Sequence, residues 1–180
     1  MRGLKSSHGP GGQRGFTLIE LLVGVAIMSL VVMAVMPSVK TYVLDVKITT
    51  AAQAFFDGAQ LARSEALRRN APVTIELTDS NRGWKVKTGP TDSVTEIASK
   101  SSESASVLSV DADDKTAITF NSQGQTTETE AVTVQFLSSG TGSCSKDGGT
   151  QRCMNVVVSP GGQVRMCDPA ISAEGDNRKC

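Results

Sequence analysis

The 180-residue sequence has one histidine, His8, one tryptophan, one tyrosine and no Cys-x-x-Cys pair. A lone histidine in the opening segment leaves no imidazole further along for a Ser/His or Cys/His nucleophile system, and no Cys/His set for zinc. Aromatic residues make up 4% of the chain. The expected core is therefore modest, resting on Trp84, Phe120, Phe136 and β-branched residues. Net charge is absent too, with 18 basic and 18 acidic residues. Without residues 1–15 the chain would keep 15 basic and 18 acidic residues, a net charge of −3. That balance argues against a general nucleic-acid-binding or anionic-membrane surface. The runs "GPGG" and "SPGG" lack phosphate-loop context and read as turns. "DADD", Asp111 to Asp114, lacks the spacing and central glycine of an EF-hand loop and reads as a solvated acidic loop. No metal and no cofactor is expected.

What the sequence does contain is a long apolar run. Phe16 to Met36 holds 21 residues with a single acid, Glu20. As a helix the run would be about 31 Å long, enough to cross a bilayer core. It is too long for a signal-peptide apolar region, and no small-residue cleavage site follows it. The segment before it, "MRGLKSSHGPGGQRG", carries Arg2, Lys5 and Arg14 and no acid. That charge favours a cytoplasmic N-terminus with the bulk of the chain outside. Four cysteines, Cys144, Cys153, Cys167 and Cys180, lie in the last quarter, on the side expected to be exported. An even number there reads as two disulfides. Three pairings are open, and proximity favours Cys144–Cys153 with Cys167–Cys180.

Beyond Pro37 the pattern stays helical. Leu44, Ile48, Ala51, Phe55, Ala59, Ala62 and Ala66 step by three and four along one face. "RRNAP" then supplies basic residues for a helix end, Asn70, and Pro72 as a stop. A helix from Phe16 to about Arg69 is expected, kinked or loosened at Pro37. After Pro72 the period becomes two. "VTIELT", "WKVKT", "AITF", "AVTVQF", "MNVVVS" and "QVRMC" read as strands, with turns at "DSNRG", "NSQGQ" and "SPGG". The stretch Ser99 to Ser106 reads as a polar loop. The expected fold is α+β, a long N-terminal helix packed on an antiparallel sheet. Its parts are residues 1–15, a membrane segment 16–36, an amphipathic helical half 37–70 and a β-rich domain 71–180.

"RGFTLIELLVGVAI" resembles the class III signal of type IV pilins and type II secretion pseudopilins. The later stretches "ARSEALRRNAPVTI", "ITFNSQGQ" and "MNVVVSPGGQVRMC" are similar to the GspH/FimT family of minor pilins and pseudopilins. The resemblance implies a type IV pilin-like fold and cleavage between Gly15 and Phe16 by a prepilin peptidase. It also implies N-methylation of the new Phe16 amine, and a non-enzymatic subunit that meets other pilins in an initiation or tip complex. Pro37 matches the proline of the family's first helix.

Glu20 then has a physical role. A carboxylate near the middle of a bilayer span costs about 2.5–3.5 kcal/mol on insertion scales and usually has a partner. Cleavage would create a cation, the Phe16 amine, in the same apolar layer. Glu20 of one subunit would meet that amine on another, making the acid a docking and register device. In the free subunit Glu20 would instead snorkel to a headgroup. Two alternatives to assembly alone stand beside this reading. One is a DNA-binding minor pilin for transformation, since some relatives bind DNA through a C-terminal Gly-Arg-x-Arg motif. Here the stretch is Gly162-Gln163-Val164-Arg165, so Gln163 replaces the first arginine. Residues 144–180 hold five basic and four acidic side chains, a weak footprint for nucleic acid. Arg165 is read as an exposed hairpin residue in preference to a DNA contact. The other alternative is a signal-anchored exported enzyme, for which no motif speaks.

Overall fold

In the computed structural model, residues 15–78, 83–89, 94–101, 108–140, 144–149 and 151–180 are described. The expected leader before Gly15, the tip of the "DSNRG" turn and most of the 99–106 stretch lie outside them. The chain divides into two compact units, one ending at Val39 and the other Lys40–Cys180.

Helix α1, Leu18–Arg69, runs through 52 residues. It includes position 37, whose side chain is outside the described set, so the kink at Pro37 stays an expectation. In the first unit every described residue from Phe16 to Met36 is exposed, although the stretch is rich in leucine, valine, isoleucine and methionine. By length and composition this helix is able to cross a membrane. Within the helical part of the apolar stretch, the Ser29 hydroxyl donates to the Val25 carbonyl at 2.8 Å, which removes a free polar group from an apolar setting.

In the second unit the helix becomes one-sided. Ile48, Ala52, Phe55, Ala59, Ala62 and Ala66 are buried. Ala51, expected on that face, is half-buried, and Ala52 takes the buried position. The small residues let strands approach closely, and Phe55 fills the remaining depth. Gly58 belongs to the same face. A Cβ there would stand 3.0 Å from the indole of Trp84, so the glycine makes room for the tryptophan. Trp84 packs against the core half-buried and does not sit at its centre. The helix stops where its sequence says it should. Ala71 N–H donates back to the Ala66 carbonyl, and Asn70 takes φ 50°. Glu65 accepts from both Arg68 and Arg69 in the last turn. Those two guanidinium groups hold its carboxyl down at about 2.

Eight strands follow among the described residues. They are β1 (Val73–Thr78), β2 (Gly83–Thr88), β3 (Thr95–Lys100), β4 (Leu108–Asp111), β5 (Ala117–Phe120), β6 (Val132–Ser138), β7 (Met154–Val158) and β8 (Val164–Cys167). They form two four-stranded antiparallel sheets, where one sheet was expected: β3-β2-β1-β5 and β4-β6-β7-β8. The inward residues of both sheets share one core with the helix. Val73, Ile75, Val86, Ile118 and Phe120 come from the first sheet, and Val134, Phe136, Val156 and Val158 from the second. The Phe55 and Phe136 rings meet at 5.8 Å between centroids, tilted by 50°, a favourable aromatic geometry.

Two strands depart from the sequence reading. Ser99 and Lys100, assigned to a loop, belong to β3. This strand lies at a sheet edge, has no fully buried residue and carries a register shift against Val86/Lys87. A bulged, half-wet edge strand has no alternation to read. β4, in which Leu108 and Val110 are buried, was not among the strands read from the sequence.

Candidate docking and C-terminal sites

The N-terminal site is built by a helix start. Thr17 Oγ1 accepts from the Glu20 N–H at 3.3 Å, so Thr17 caps the helix and Glu20 is its third residue. Thr17-Leu18-Ile19-Glu20 is thus a T-x-x-E capping pattern, visible in the sequence but missed beside the larger question of the acid. A carboxylate in the first turn also complements the positive end of the helix. That local term, typically 0.3–1 kcal/mol, is smaller than the cost of placing the charge in hydrocarbon. Phe16 is 88% exposed, directly before the cap. The helix start therefore presents Phe16 just before the cap and the acid of Glu20 in the first turn.

The C-terminal site is built by two disulfides and one buried acid. Cys144 is bonded to Cys153 and Cys167 to Cys180. Asp168, 4% exposed, lies between them. Its Oδ2 accepts from Arg152 Nε at 2.7 Å and its Oδ1 accepts from the Ala170 N–H at 2.9 Å. The Arg152 N–H in turn donates to Asp45 of α1 at 3.4 Å. One carboxylate thus ties the second disulfide region to the first, and Arg152 ties both to the helix. Nothing local in the sequence announces this, because the partners are 16 and 107 residues apart.

Arg165 is exposed on β8, and its guanidinium donates to the Lys179 carbonyl at 3.2 Å. Two nearby cations are already matched. Arg152 is paired with Asp168, and Arg178 with Asp176 at 2.8 Å. The Arg178 guanidinium holds the Asp176 carboxyl at about 2, so this pair stays charged across the physiological range. Gly162, the first residue of the Gly-Gln-Val-Arg stretch, has an internal task. Its φ is +77°, and a Cβ there would stand 1.7 Å from the Gly124 carbonyl oxygen. That same oxygen accepts from Arg63 Nε at 3.1 Å. The turns at 121–125 and 159–163 and the end of α1 thus meet at one point. Thr126 N–H to Pro160 O at 3.0 Å adds a second tie. Gly162→Ala combines a strained φ with a backbone clash. It is expected to cost more than about 2 kcal/mol, read as a lower urea midpoint of the unit Lys40–Cys180. An unchanged midpoint would show that the turn yields freely.

Asp111, Asp113 and Asp114 are exposed, and Asp111 Oδ1 only accepts the Asp113 N–H. Among the described residues no group of three or more His, Cys, Asp or Glu is placed to hold a metal ion.

An apolar, acid-bearing helix start joined to a helix-on-sheets domain defines the pilin class of fold. The comparisons narrow it. The family described as type II transport protein GspH matches residues 51–162, and the prokaryotic N-terminal methylation motif matches residues 11–36. The chain belongs to the GspH family. The fold is similar to the Pseudomonas aeruginosa type IV minor pilin FimU, with a TM-score of 0.57 at 18% identity, over 71% of this chain and 92% of that one. It is also similar to the minor pseudopilin EpsH of the Vibrio cholerae type 2 secretion system, with a TM-score of 0.54 at 14% identity, over 69% of this chain and 99% of that one. No curated protein matches.

Proposed function

We propose that the chain is a non-enzymatic minor pseudopilin or pilin, working in the initiation or tip complex of a type II secretion pseudopilus or a type IV pilus. The observation that carries this reading is the capped helix start, with Glu20 in the first turn of an exposed apolar helix. The family membership and the methylation motif support it. Prepilin peptidase would cut between Gly15 and Phe16, and the new amine would be methylated. The segment 16–36 would hold the subunit in the inner membrane, with the amphipathic half 37–70 and the β-rich domain 71–180 in the periplasm. Pro37 would loosen the helix near that boundary by removing one backbone donor. Glu20 would dock on the Phe16 amine of a neighbouring subunit. Other pilins or pseudopilins are the partners. Crosslinking in intact membranes, then mass spectrometry, tests this. Crosslinks from the Phe16–Met36 segment to other pilins support the reading, and crosslinks to none count against it.

Binding of DNA through Arg165 is the second reading, and the geometry disfavours it. Arg165 is engaged by the Lys179 carbonyl, and Gln163 supplies no second cation. The domain from Lys40 onward is expected to bind duplex DNA weakly at physiological salt. Gln163→Arg should strengthen binding and steepen the log–log salt slope by about 0.9. Titration of labelled duplex at several salt concentrations measures both. Tight wild-type binding lost in Arg165→Ala would make this a DNA-uptake subunit.

A further inference from the structure

β8 is the last strand of its sheet, and its outer edge would present unpaired backbone groups. The chain's own final segment meets it at Asp168, the residue directly after β8. The Asp168 N–H donates to the Arg178 carbonyl at 2.7 Å, and Asp168 and Lys179 form a parallel bridge. Arg165 on β8 reaches the Lys179 carbonyl, and Cys167 is bonded to Cys180. These three fastenings, the backbone bridge, the Arg165 bond and the disulfide, fall at the last three residues of the segment. Its near end is held separately, by the Asp168 carboxylate on the Ala170 N–H and by the Ile171 N–H on the Asp168 carbonyl. Between the two ends, residues 172–175 are exposed and form no strand. Little apolar burial holds the segment down, so its closure depends on the disulfide.

The two disulfides are unequally accessible. Cys144 and Cys153 are both buried, at 4% and 1% exposure, whereas Cys180 is exposed. Cys180 is the one exposed residue of the four cysteines, and thiol–disulfide exchange depends on access.

We infer that residues 171–180 are a strap over the edge of β8, latched by Cys167–Cys180 and releasable by a dithiol while Cys144–Cys153 stays closed. A dithiol thiolate attacks Cys180 sulfur and expels the Cys167 thiolate, which takes up a proton. The second thiolate of the reductant then attacks its own mixed-disulfide sulfur and releases the Cys180 thiolate, which is protonated in turn. The protein gains two electrons and two protons, and the dithiol becomes a cyclic disulfide. Release uncovers the backbone edge at Asp168 and frees the Arg165 guanidinium.

The test is a dithiothreitol titration of the full chain in detergent, with differential alkylation of the cysteines and residue-resolved amide exchange. Cys167 and Cys180 should become alkylated at a dithiothreitol concentration at least about tenfold below that needed for Cys144 and Cys153. The Asp168 amide should then exchange at least about tenfold faster, while Val156 and Val158 in β7 keep their protection. Cys180→Ser should reproduce the fast Asp168 exchange with no reductant. Simultaneous opening of both disulfides would overturn the inference. So would slow Asp168 exchange after Cys167–Cys180 has opened, or in Cys180→Ser.

Discussion

Glu20→Ala is expected to reduce recovery of the chain with other pilins by tenfold or more, while membrane insertion stays intact or improves. Insertion should not suffer, because the substitution removes a carboxylate that costs about 2.5–3.5 kcal/mol in a bilayer span. The helix start should survive as well. Thr17 caps through the Glu20 backbone N–H, which alanine retains. What alanine cannot supply is the counter-charge to the Phe16 amine of a neighbour. Breaking a pair buried in low dielectric by deleting one partner costs about 3–5 kcal/mol, far beyond the tenfold change that 1.4 kcal/mol represents. If the carboxylate served only the helix end, the loss would be about 0.3–1 kcal/mol, less than tenfold. Alkaline-wash retention in membranes reads insertion, and co-purification from detergent reads assembly. Normal co-purification of Glu20→Ala would remove the docking role.

Phe55→Ala should have the largest effect on stability. Phe55 is the fully buried aromatic ring of α1, 2% exposed, and meets Phe136 of β6 in a tilted contact. Its helical neighbours on that face are chiefly alanines, which have no length to move into the space. The second sheet is held by its strand pairs and cannot collapse onto the helix. Truncation of such a phenylalanine costs about 3–5 kcal/mol. Against the 5–15 kcal/mol typical of a domain, that removes a third or more of the stability. Urea unfolding of the unit Lys40–Cys180 should show the midpoint falling with little change in slope. Phe55→Leu, which keeps most of the volume, should recover most of the loss. A loss below about 1 kcal/mol for Phe55→Ala would mean that the helix is not seated as described.

The helix was legible because two independent signals agreed, an unbroken apolar run and then a 3.6-residue stripe. Its end was legible from Arg68, Arg69, Asn70 and Pro72. Six strands were legible, most plainly where buried residues alternate, as in Val73, Ile75 and Leu77. β3 was not, since an edge strand with a register shift buries nothing in sequence order. The division into two sheets was also hidden, because alternation gives a strand's faces and says nothing of its neighbour. Glu20 could be singled out since a lone acid in an apolar run is conspicuous. Arg63, Gly162 and Asp168 could not. Each works through a partner far along the chain, a backbone carbonyl, a clash avoided or a guanidinium, and local sequence carries no trace of such a partner. Gly162 in particular read as an ordinary turn glycine, whereas its close approach to Gly124 sets its identity.

The central claim is that this is a processed pilin-type subunit, and the junction of Gly15 and Phe16 tests it most directly. Intact-mass and N-terminal peptide analysis should be carried out on the protein from membranes of cells with active prepilin peptidase. The account predicts a mature chain starting at Phe16, heavier by one methyl group at its amine. A chain retaining residues 1–15 in those cells would contradict it.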